Sequence, residues 1–330
     1  MKPQRHSISS INIGVVGATG LVGREFLSLM EERNFPVKDL YLFASDKSIG
    51  KRMKFRGRQY KVLPFSKEIF RNIHMAFFSA GADIDMKLVP KAAAQGTICI
   101  DNSSAFRMNR NIPLIVPEIN FNRIKKTNRI IANPNCSTIQ LVLVLDILRK
   151  LYSIKSVCVS TYQAVSGAGR ESLELYLKQS SKQMRSGNPQ FFDNIIQRIG
   201  QIDENGYCEE EMKIVNETKK ILNDRSIQIS PTAMRVPLSN VHTESVIVSF
   251  KEKISLKRIK NAFDKNTNNV LLVNELDSCD ASRSNITFVS RLRRDLHSAD
   301  KLLMIISADN LRVGAALNGI RIAERILNEK

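Results

Sequence analysis

The sequence predicts an α/β protein of two domains, and three observations lead to that fold class. The chain has 330 residues, which is long for a single hydrophobic core. Its first part alternates apolar strand-like runs with helical patterns, starting with a strand, a glycine-rich turn and a helix. Its later part contains a run of strands with few helices, which predicts an α+β domain with a mainly antiparallel sheet. Sheet faces of that kind often form dimers, so we expect this second domain to be used for dimerisation.

The composition is that of an ordinary globular protein, with 43% hydrophobic and 25% charged residues. No apolar stretch approaches the roughly 18–20 residues that a membrane span needs. The polar, basic segment Met1–Ser10 lacks the apolar core of a signal peptide. The five cysteines are scattered and form no CxxC pair, so neither a disulfide framework nor a metal site is predicted. We therefore expect a reduced, cytoplasmic protein.

The net charge of +18 raises the question of a polyanionic partner. Basic clusters occur at Arg56–Arg58, Arg123–Lys126 and Arg291–Arg294, but they are short and lie far apart. No basic stripe with interleaved aromatic residues accompanies them, so we predict no nucleic-acid partner and no membrane partner. The chain is rich in Ile, Asn and Lys, which makes a proteome-wide bias the simplest explanation. The charge can still concentrate anionic substrates near the protein.

The first element is a buried strand, Ile11–Val16, that leads directly into a turn with glycines at 17, 20 and 23. A helix follows, with Phe26 and Leu29 on its apolar face. Strand, glycine turn and helix form the context of a Rossmann-type dinucleotide-binding domain, in which the helix N-terminus stabilises a pyrophosphate. The alternative is a tight turn that only allows close packing of helix and strand.

The second strand, Leu40–Ala44, ends at Ser45-Asp46-Lys47-Ser48, the usual position for recognition of the adenosine ribose. An acidic residue there favours the free 2′-hydroxyl of NAD, whereas a basic residue favours the 2′-phosphate of NADP. Because Asp46 and Lys47 are adjacent, this loop leaves both cofactors open.

The first domain is expected to continue with three strands and one helix that bends or breaks at Pro90. The strands are Tyr60–Pro64, His74–Ser79 and Thr97–Ile100, and the helix is Asp83–Gln95. Two polar turns, Ser79–Gly81 and Asp101–Ser104, fall at strand ends, where open α/β sheets bind ligands. Arg107 follows the second turn and is either a surface arginine or an anion ligand.

The segment Ile131–Gln140 carries the strongest chemical signal. An Asn-Pro-Asn turn precedes Cys136, and Ser137 and Thr138 then open an apolar helix, where they would serve as good N-caps. Free backbone N–H groups and the positive end of the helix dipole would stabilise a thiolate at Cys136. The alternative is a buried structural cysteine.

The second domain is expected to contain six strands and two helices, followed by a final helix that packs back on the first domain. The strands are Ile154–Val165, Ile227–Ile229, Val246–Phe250, Val270–Val273, Ile286–Val289 and Leu302–Ser307; the helices are Glu209–Leu222, Ser255–Asp264 and Asp309–Asn328. Residues 178–206 are polar and show little pattern, which favours a loop or an oligomer arm.

Arg235 and His242 lie seven residues apart in the second domain. A cysteine at a helix N-terminus together with a histidine distant in sequence is typical of enzymes that use a thiolate nucleophile and a partner acid or base. A nearby arginine could bind a carboxylate with both of its donor nitrogens. By spacing alone, His242 is equally compatible with a surface position.

Together these segments resemble the bacterial aspartate-semialdehyde dehydrogenases. The matching motifs occur in the order of that family along almost the whole chain: Gly17-Ala18-Thr19-Gly20-Leu21-Val22-Gly23, Asp101-Asn102-Ser103-Ser104-Ala105-Phe106-Arg107, Asn133-Pro134-Asn135-Cys136-Ser137-Thr138, Tyr162-Gln163-Ala164-Val165-Ser166-Gly167-Ala168-Gly169, Glu210-Glu211-Met212-Lys213, Arg235-Val236-Pro237 and Asp309-Asn310-Leu311-Arg312.

The resemblance implies NADPH-dependent reduction of L-aspartyl 4-phosphate to L-aspartate 4-semialdehyde through a cysteine thioester, in the biosynthesis of aspartate-family amino acids. It implies a dinucleotide-binding domain of residues 1–134 and 310–330, and a catalytic and dimerisation domain of residues 135–309. It also implies NADP(H) as cofactor, inorganic phosphate as a second small molecule, and a homodimer, with a tetramer as the alternative.

The resemblance also implies roles for individual residues. Cys136 would be the nucleophile, His242 the acid/base and Gln163 the residue that orients the acyl group. The substrate would be bound by Arg235 at its α-carboxylate, by Glu210 at its α-ammonium, by Arg107 and Lys213 at its phosphate, and by Asn135. The cofactor would be bound by Gly17, Thr19, Gly20, Leu21, Val22, Ser45, Lys47, Ser79, Gly81, Ser166, Gly167 and Asn310, and no metal is implied.

The sequence departs from the family pattern at two places. The family usually has Gly before the catalytic histidine, where this chain has Val241. A β-branched residue resists positive φ, so the turn there must either differ or carry strain. The ribose loop usually contains Ala-Arg where this chain has Asp46-Lys47.

Two other functions remain open. N-acetyl-glutamyl-phosphate reductases also react through a cysteine thioester, but their cysteine turn typically has Gly where this chain has Asn135. Their N-acetylated substrate has no free α-ammonium, so it needs no acidic partner such as Glu210. A non-catalytic relative acting as a binding or assembly protein would be indicated by loss of the cysteine or histidine, and both are present.

Overall fold

The computed structural model describes residues 10–65, 68–181, 184, 187–266 and 269–329. The chain divides into two compact units, and each has its own sheet. The first unit comprises residues 1–117, 121–133 and 316–330, and the second comprises residues 118–120 and 134–315.

Within its described residues, the first unit is a seven-stranded sheet with helices. Its elements are β1 Ile11–Val16, α1 Leu21–Glu32, β2 Val37–Phe43, β3 Arg52–Phe55, β4 Arg58–Leu63, β5 Met75–Phe78, α2 Ala82–Ala93, β6 Ile98–Asp101 and β7 Ile130–Ala132. The helix α8, Leu317–Asn328, completes the unit, whereas a short helix after β6, α3 Pro117–Asn120, has its last three residues in the second unit. The strand order is β3-β4-β2-β1-β5-β6-β7, and all pairings are parallel except that of β3 with β4. This is the Rossmann-type arrangement that the glycine turn predicts.

The second unit is a six-stranded mixed sheet with helices. Its elements are α4 Cys136–Arg149, β8 Ile154–Gln163, α5 Arg170–Ser180, α6 Glu209–Leu222, β9 Gln228–Arg235, β10 His242–Phe250, α7 Leu256–Asp264, β11 Val270–Leu272, β12 Thr287–Arg294 and β13 Lys301–Ala308. The strand order is β11-β12-β13-β10-β8-β9. The three central pairings are antiparallel and the two outer ones are parallel, so the expected mainly antiparallel sheet is present.

One face of this second sheet is buried and the other is open. In β10, the alternate residues from His242 to Phe250 are buried, and α4 packs in contact with this strand. On the opposite face, Cys158 and Tyr162 are exposed, and Ile247, Leu303 and Ile305 are half-buried. The alternation of strand side chains therefore places the catalytic candidates inside the unit and leaves a partly apolar face at its surface.

Several element boundaries differ from the sequence-based expectation. β9 extends to Arg235, through Pro231, because it is the edge strand of the sheet, where the missing N–H of proline is tolerated. α2 continues through Pro90, which lies in its last turn. Two elements, β3 and α5, were not predicted from the sequence, and α5 includes the first residues of the 178–206 region.

The last helix also begins later than expected. Asp309 accepts hydrogen bonds from the N–H groups of Leu311 (2.9 Å) and Arg312 (2.9 Å), which competes with helix formation at that point. A π-helical turn, Arg312–Ala316, follows before α8 begins at Leu317. Residues 310–315 therefore belong to the second unit, and so does Pro134. We expected the first domain to include residues up to 134 and to resume at 310.

Candidate active site

The N-terminal turn of α4 holds Cys136 as the first residue of the helix. The cap is Asn135, whose side-chain oxygen accepts hydrogen bonds from the N–H groups of Ser137 (3.0 Å) and Thr138 (3.2 Å). Our expectation that Ser137 and Thr138 would act as the caps is wrong, because both lie within the first turn. Asn135 has the extended backbone of an N-cap and an acceptor of the right length. The half-buried Cys136 therefore lies at the positive end of the helix dipole, as the sequence predicts.

Three sequence-distant candidates lie side by side in the second sheet. His242 of β10 pairs with Gln163 of β8, and Gln163 pairs with Arg235 of β9. All three are the terminal residues of their strands and are at least nine-tenths buried. The strand order β10-β8-β9 thus assembles an imidazole, an amide and a guanidinium in one row across the sheet.

Glu210, in the first turn of α6, connects several other candidates. Its carboxylate accepts hydrogen bonds from the side chains of Asn135 (2.7 Å), Gln163 (3.1 Å) and Lys213 (3.2 Å). Burial alone would raise the pKa of Glu210, but the charge of Lys213 and these hydrogen bonds outweigh it and hold that pKa at about 2. The site therefore contains a permanently ionised, buried carboxylate.

His242 is fully buried and has a pKa of about 3, lowered first by burial and then by the positive charge of Arg235. Its Nδ1 accepts a hydrogen bond from the N–H of Ala164 at 3.1 Å. A neutral imidazole with Nδ1 occupied as an acceptor carries its proton on Nε2. Within the described part of the chain, Nε2 has no hydrogen-bond partner, so it can donate to a bound substrate.

Arg235 donates from Nη1 to the carbonyl oxygen of Ala164 at 2.8 Å. Burial lowers the pKa of Arg235, while the negative charges of Glu210 and the Cys136 thiolate oppose that shift. Gly167 faces Arg235 and His242 so closely that an added Cβ would lie 2.8 Å from Arg235 Nη1 and 3.0 Å from His242 Nε2. A side chain at residue 167 would therefore occupy the space in front of both groups.

Val241, directly before His242, has a φ of +75°. Because this chain has Val241 where the family usually has glycine, we expected the turn either to differ or to be strained. The positive φ is the strained case, because a β-branched residue strongly disfavours this backbone region. Val241 is also buried, and its N–H donates to the side-chain oxygen of Asn310 at 2.9 Å. Asn310 in turn contacts the hydroxyl of Ser166, its Nδ2 lying 3.0 Å from that oxygen.

The cofactor candidates at the start of the chain lie in the first unit. Gly17 has a φ of +83°, and an added Cβ would lie 2.5 Å from the carbonyl oxygen of Ser79. Gly20 caps α1 without a side-chain hydrogen bond, and the first turn of α1 contains no acidic residue. These features fit a dinucleotide, since the backbone N–H groups of the first turn of α1 point toward the side where a pyrophosphate would bind. Leu21 and Val22 are the first residues of α1, and Gly81 is the N-cap of α2. The hydroxyl of Thr19 donates to the hydroxyl oxygen of Ser48 at 3.3 Å.

The ribose-loop residues and Arg107 also belong to the first unit. Ser45 precedes a 3₁₀ turn, Asp46–Ser48, in which both Asp46 and Lys47 are exposed. Arg107 is buried and donates from Nη2 to the carbonyl oxygen of Asn102 at 2.8 Å. The other phosphate candidate, Lys213, belongs to the second unit, as do the cofactor candidates Ser166, Gly167 and Asn310.

The sequence analysis missed two buried glutamates of the second unit. Glu217 accepts the backbone N–H of Asn135 at 2.6 Å and could have been found from its position seven residues after Glu210, on the same face of α6. Glu244, two residues after His242 on the same strand face, is fully buried, and burial raises its pKa well above the usual value. The sequence offered no clear signal for it, because Glu244 lies in the polar start of β10, before the predicted strand Val246–Phe250.

No helix in the described segments is both long enough and apolar enough to cross a membrane. Across those same segments, no three or more His, Cys, Asp or Glu side chains gather where they could hold a metal ion.

Comparison with known proteins identifies both parts of the chain. A family profile described as semialdehyde dehydrogenase, NAD binding domain, matches residues 12–127, and one described as semialdehyde dehydrogenase, dimerisation domain, matches residues 145–313.

Similar proteins span nearly the whole chain. The aspartate-semialdehyde dehydrogenase of Bacillus subtilis is 39% identical, covering 96% of this chain and 97% of its own length. The enzyme of the same name from Aquifex aeolicus is 41% identical, with coverages of 96% and 98%. A crystal structure of aspartate semialdehyde dehydrogenase II complexed with ASA, from Vibrio cholerae, has a TM-score of 0.92 and 37% identity, covering 97% of this chain and 99% of that one.

Proposed function

Because this chain belongs to the family of aspartate-semialdehyde dehydrogenases, we propose that it reduces L-aspartyl 4-phosphate to L-aspartate 4-semialdehyde through a thioester on Cys136. One structural observation supports this assignment above the others. The Glu210 carboxylate bonds to the N-cap of the Cys136 helix, to Gln163 and to Lys213, which brings a nucleophile, an amide and charged groups into one buried cluster.

The chemistry begins at Cys136, whose thiolate the N-terminus of α4 stabilises. The thiolate attacks the acyl carbon of aspartyl 4-phosphate, and inorganic phosphate leaves, so the enzyme holds a thioester. The nicotinamide cofactor supplies the hydride that reduces this thioester. The resulting hemithioacetal breaks its C–S bond, which releases the aldehyde and restores the thiolate.

His242 and Gln163 act on the acyl oxygen. The Nδ1 contact with Ala164 leaves the proton of neutral His242 on Nε2, so His242 stabilises negative charge on that oxygen as a donor. The Gln163 side-chain oxygen accepts from Thr161 at 3.1 Å, which fixes the orientation of the amide.

The substrate's two other charged groups match the two buried ions of the site. Glu210 keeps its negative charge and attracts the α-ammonium, and Arg235 offers a planar fork to the α-carboxylate. The requirement for a free α-ammonium separates this substrate from an N-acetylated one.

The assay that tests the function is phosphate-dependent reduction of NADP⁺ with aspartate semialdehyde by the purified protein. Cys136→Ala should abolish turnover while NADP(H) binding stays near the wild-type value, because the nucleophile cannot be replaced. Substantial turnover by Cys136→Ala would exclude the thioester route, and activity only with N-acetyl-glutamate semialdehyde would assign the related reductase.

Arg107 and Lys213 are proposed to bind phosphate. A doubly charged phosphate needs cationic donors, and a charge-assisted contact of about 1.5–3 kcal/mol corresponds to roughly 10- to 150-fold. Arg107→Leu and Lys213→Leu should each raise the KM for phosphate by that order while the KM for NADP⁺ changes less than about twofold. An unchanged phosphate KM in both variants would remove these residues from the phosphate site.

The protein is also proposed to be a homodimer formed through the open face of its second sheet. Tyr162 is exposed on that face, and Ile247, Leu303 and Ile305 beside it are half-buried. Ile305→Asp would place a charge in the apolar centre of such an interface. Sedimentation should show a dimer for the wild type and a shift toward monomer for this variant; an unchanged dimer would place the interface elsewhere. A cytoplasmic location is also proposed, because the sequence contains five scattered cysteines and no CxxC pair.

A further inference from the structure

Asn135 is held by two carboxylates of α6, and only one of them belongs to the proposed chemistry. Glu210 accepts from the Asn135 side chain at 2.7 Å, and Glu217 accepts from the Asn135 backbone N–H at 2.6 Å. Glu217 is 1% exposed, and it lies two helical turns after Glu210, on the same face of α6. One helix therefore fixes both the side chain and the backbone of the residue that precedes Cys136.

The contact from Glu217 completes an N-terminal cap that α4 cannot complete by itself. In a capping box, the third residue of the helix is Glu or Gln, whose side chain accepts the N–H of the cap residue. In α4 that third residue is Thr138, whose hydroxyl has no hydrogen-bond partner within the described part of the chain. Glu217, 82 residues away in sequence, takes the place of the missing carboxylate.

The effect of Glu217 on Cys136 has to arise from this contact and not from its charge. A carboxylate close to a thiol disfavours the thiolate, so the charge alone would oppose a nucleophilic cysteine. The contact satisfies a buried N–H and fixes the first turn of α4, whose N–H groups favour the thiolate.

We propose that Glu217 is a positioning residue of this enzyme: by accepting the N–H of Asn135, it holds the turn that presents the Cys136 thiolate. The inference rests on the proposed role of Cys136 as nucleophile. Glu217 touches neither substrate nor cofactor in this scheme, and its proposed effect on Cys136 is exerted through Asn135.

Two substitutions separate the contact from the charge. Glu217→Gln keeps an acceptor oxygen at the same length and removes the charge. Glu217→Asp keeps the charge but shortens the side chain by one methylene group, which takes the acceptor out of hydrogen-bonding range. Glu217→Ala is a second variant without the acceptor, and Thr218→Val is a matched control, since Thr218 is a fully buried neighbour on α6 whose hydroxyl lacks a partner in the described segments.

The readout is the rate of Cys136 alkylation by iodoacetamide as a function of pH, measured by mass spectrometry on the peptide that contains Cys136. The exposed Cys158 and Cys279 then do not obscure the result. Glu217→Asp and Glu217→Ala should raise the midpoint of alkylation by about one pH unit, because the turn no longer supports the thiolate. They should lower kcat by about tenfold, with the KM for NADP⁺ within about twofold of wild type. Glu217→Gln, which removes only the charge, should keep the wild-type midpoint or lower it, and Thr218→Val should keep it to within about 0.3 pH units.

The proposal is overturned if Glu217→Asp keeps the wild-type alkylation profile, if Glu217→Gln is the more impaired of the two, or if Thr218→Val shifts the profile equally. A wild-type protein that fails to oxidise aspartate semialdehyde would instead overturn the proposed function, and the alkylation profiles would still decide the role of Glu217.

Discussion

The backbone N–H of Val241 donates a 2.9 Å hydrogen bond to the side-chain oxygen of Asn310, 69 residues further along the chain. This bond holds a buried valine at a φ of +75°, where a β-branched side chain is strained, and His242 is the next residue. The imidazole is therefore placed by a backbone conformation that the local sequence opposes and that a distant residue stabilises.

Strain at Val241 can be measured by comparing two truncations. Val241→Ala and Val241→Gly both remove the buried branches, but only glycine removes the Cβ that disfavours positive φ. We expect the glycine variant to be more stable than the alanine variant by about 1 kcal/mol in its free energy of unfolding, from urea denaturation.

The same pair of substitutions at Val246 provides the control, because Val246 is equally buried in β10 and is not among the residues with positive φ. There the alanine variant should be the more stable by roughly 0.5–1 kcal/mol. If alanine is also the better residue at 241, the strain is not present in solution.

The pH dependence of stability should report the buried His242. Its pKa is near 3 in the folded protein, while an unfolded histidine titrates near 6.5, so between these values the unfolded chain binds a proton that the folded protein does not. The contribution of His242 to stability is therefore fully present above about pH 6.5 and is lost as the pH falls toward 3, by about 1.4 kcal/mol per pH unit. Glu210, with a pKa of about 2, adds a loss only below the unfolded glutamate value near 4.5.

A comparison of wild type with His242→Asn by urea denaturation between pH 7 and pH 5 isolates the histidine, because this range lies above the Glu210 window and the buried Glu244, whose raised pKa acts in the opposite direction, is present in both proteins. His242→Asn should lose less stability than wild type on acidification across that range, whereas His297→Asn, which removes an exposed imidazole, should not differ from wild type. An identical slope in wild type and His242→Asn would show that His242 is not buried as a neutral group.

The sequence predicted much of the site because its chemistry is local at several points. The helix-opening cysteine and the glycine turn each follow from residues within one turn of each other, whereas the role of Glu210 came only from the resemblance to a family. The row of His242, Gln163 and Arg235 depends on the strand order β10-β8-β9, which no local pattern contains, so only the resemblance to a family placed these residues together. Glu217 could have been found from its position on the same face of α6 as Glu210, but its contact with the backbone of Asn135 could not, because Asn135 caps another helix.

Cofactor choice should depend on Lys47. Asp46 and Lys47 are both exposed on the turn after β2, and we expect Lys47 to bind the 2′-phosphate of NADP(H) while Asp46 points to solvent. Lys47→Ala should lower kcat/KM for NADP⁺ by about tenfold and leave kcat/KM for NAD⁺ within about twofold.

Lys51→Ala removes another exposed lysine from the same loop and serves as the control. Equal use of NAD⁺ by the wild-type protein, or an unchanged cofactor ratio in Lys47→Ala, would contradict a preference for NADP(H) based on this residue.

Gly167 and Gly169 should separate the demands of the site from those of the fold. An added Cβ at 167 would meet Arg235 Nη1 at 2.8 Å and His242 Nε2 at 3.0 Å, and both of these side chains are buried, so neither can move away freely. At Gly169, an added Cβ would meet no atom within 4 Å, but the φ of +96° disfavours any residue other than glycine. Gly167→Ala should therefore lower kcat/KM for aspartate semialdehyde by at least about tenfold, with a loss of stability of about 1–3 kcal/mol from overpacking. Gly169→Ala should lower stability by about 1–2 kcal/mol through backbone strain and keep kcat/KM within about threefold.

Steady-state kinetics and urea denaturation of both variants test this pair of predictions. A Gly167→Ala variant with wild-type kcat/KM would mean that substrate does not bind in front of Arg235 and His242.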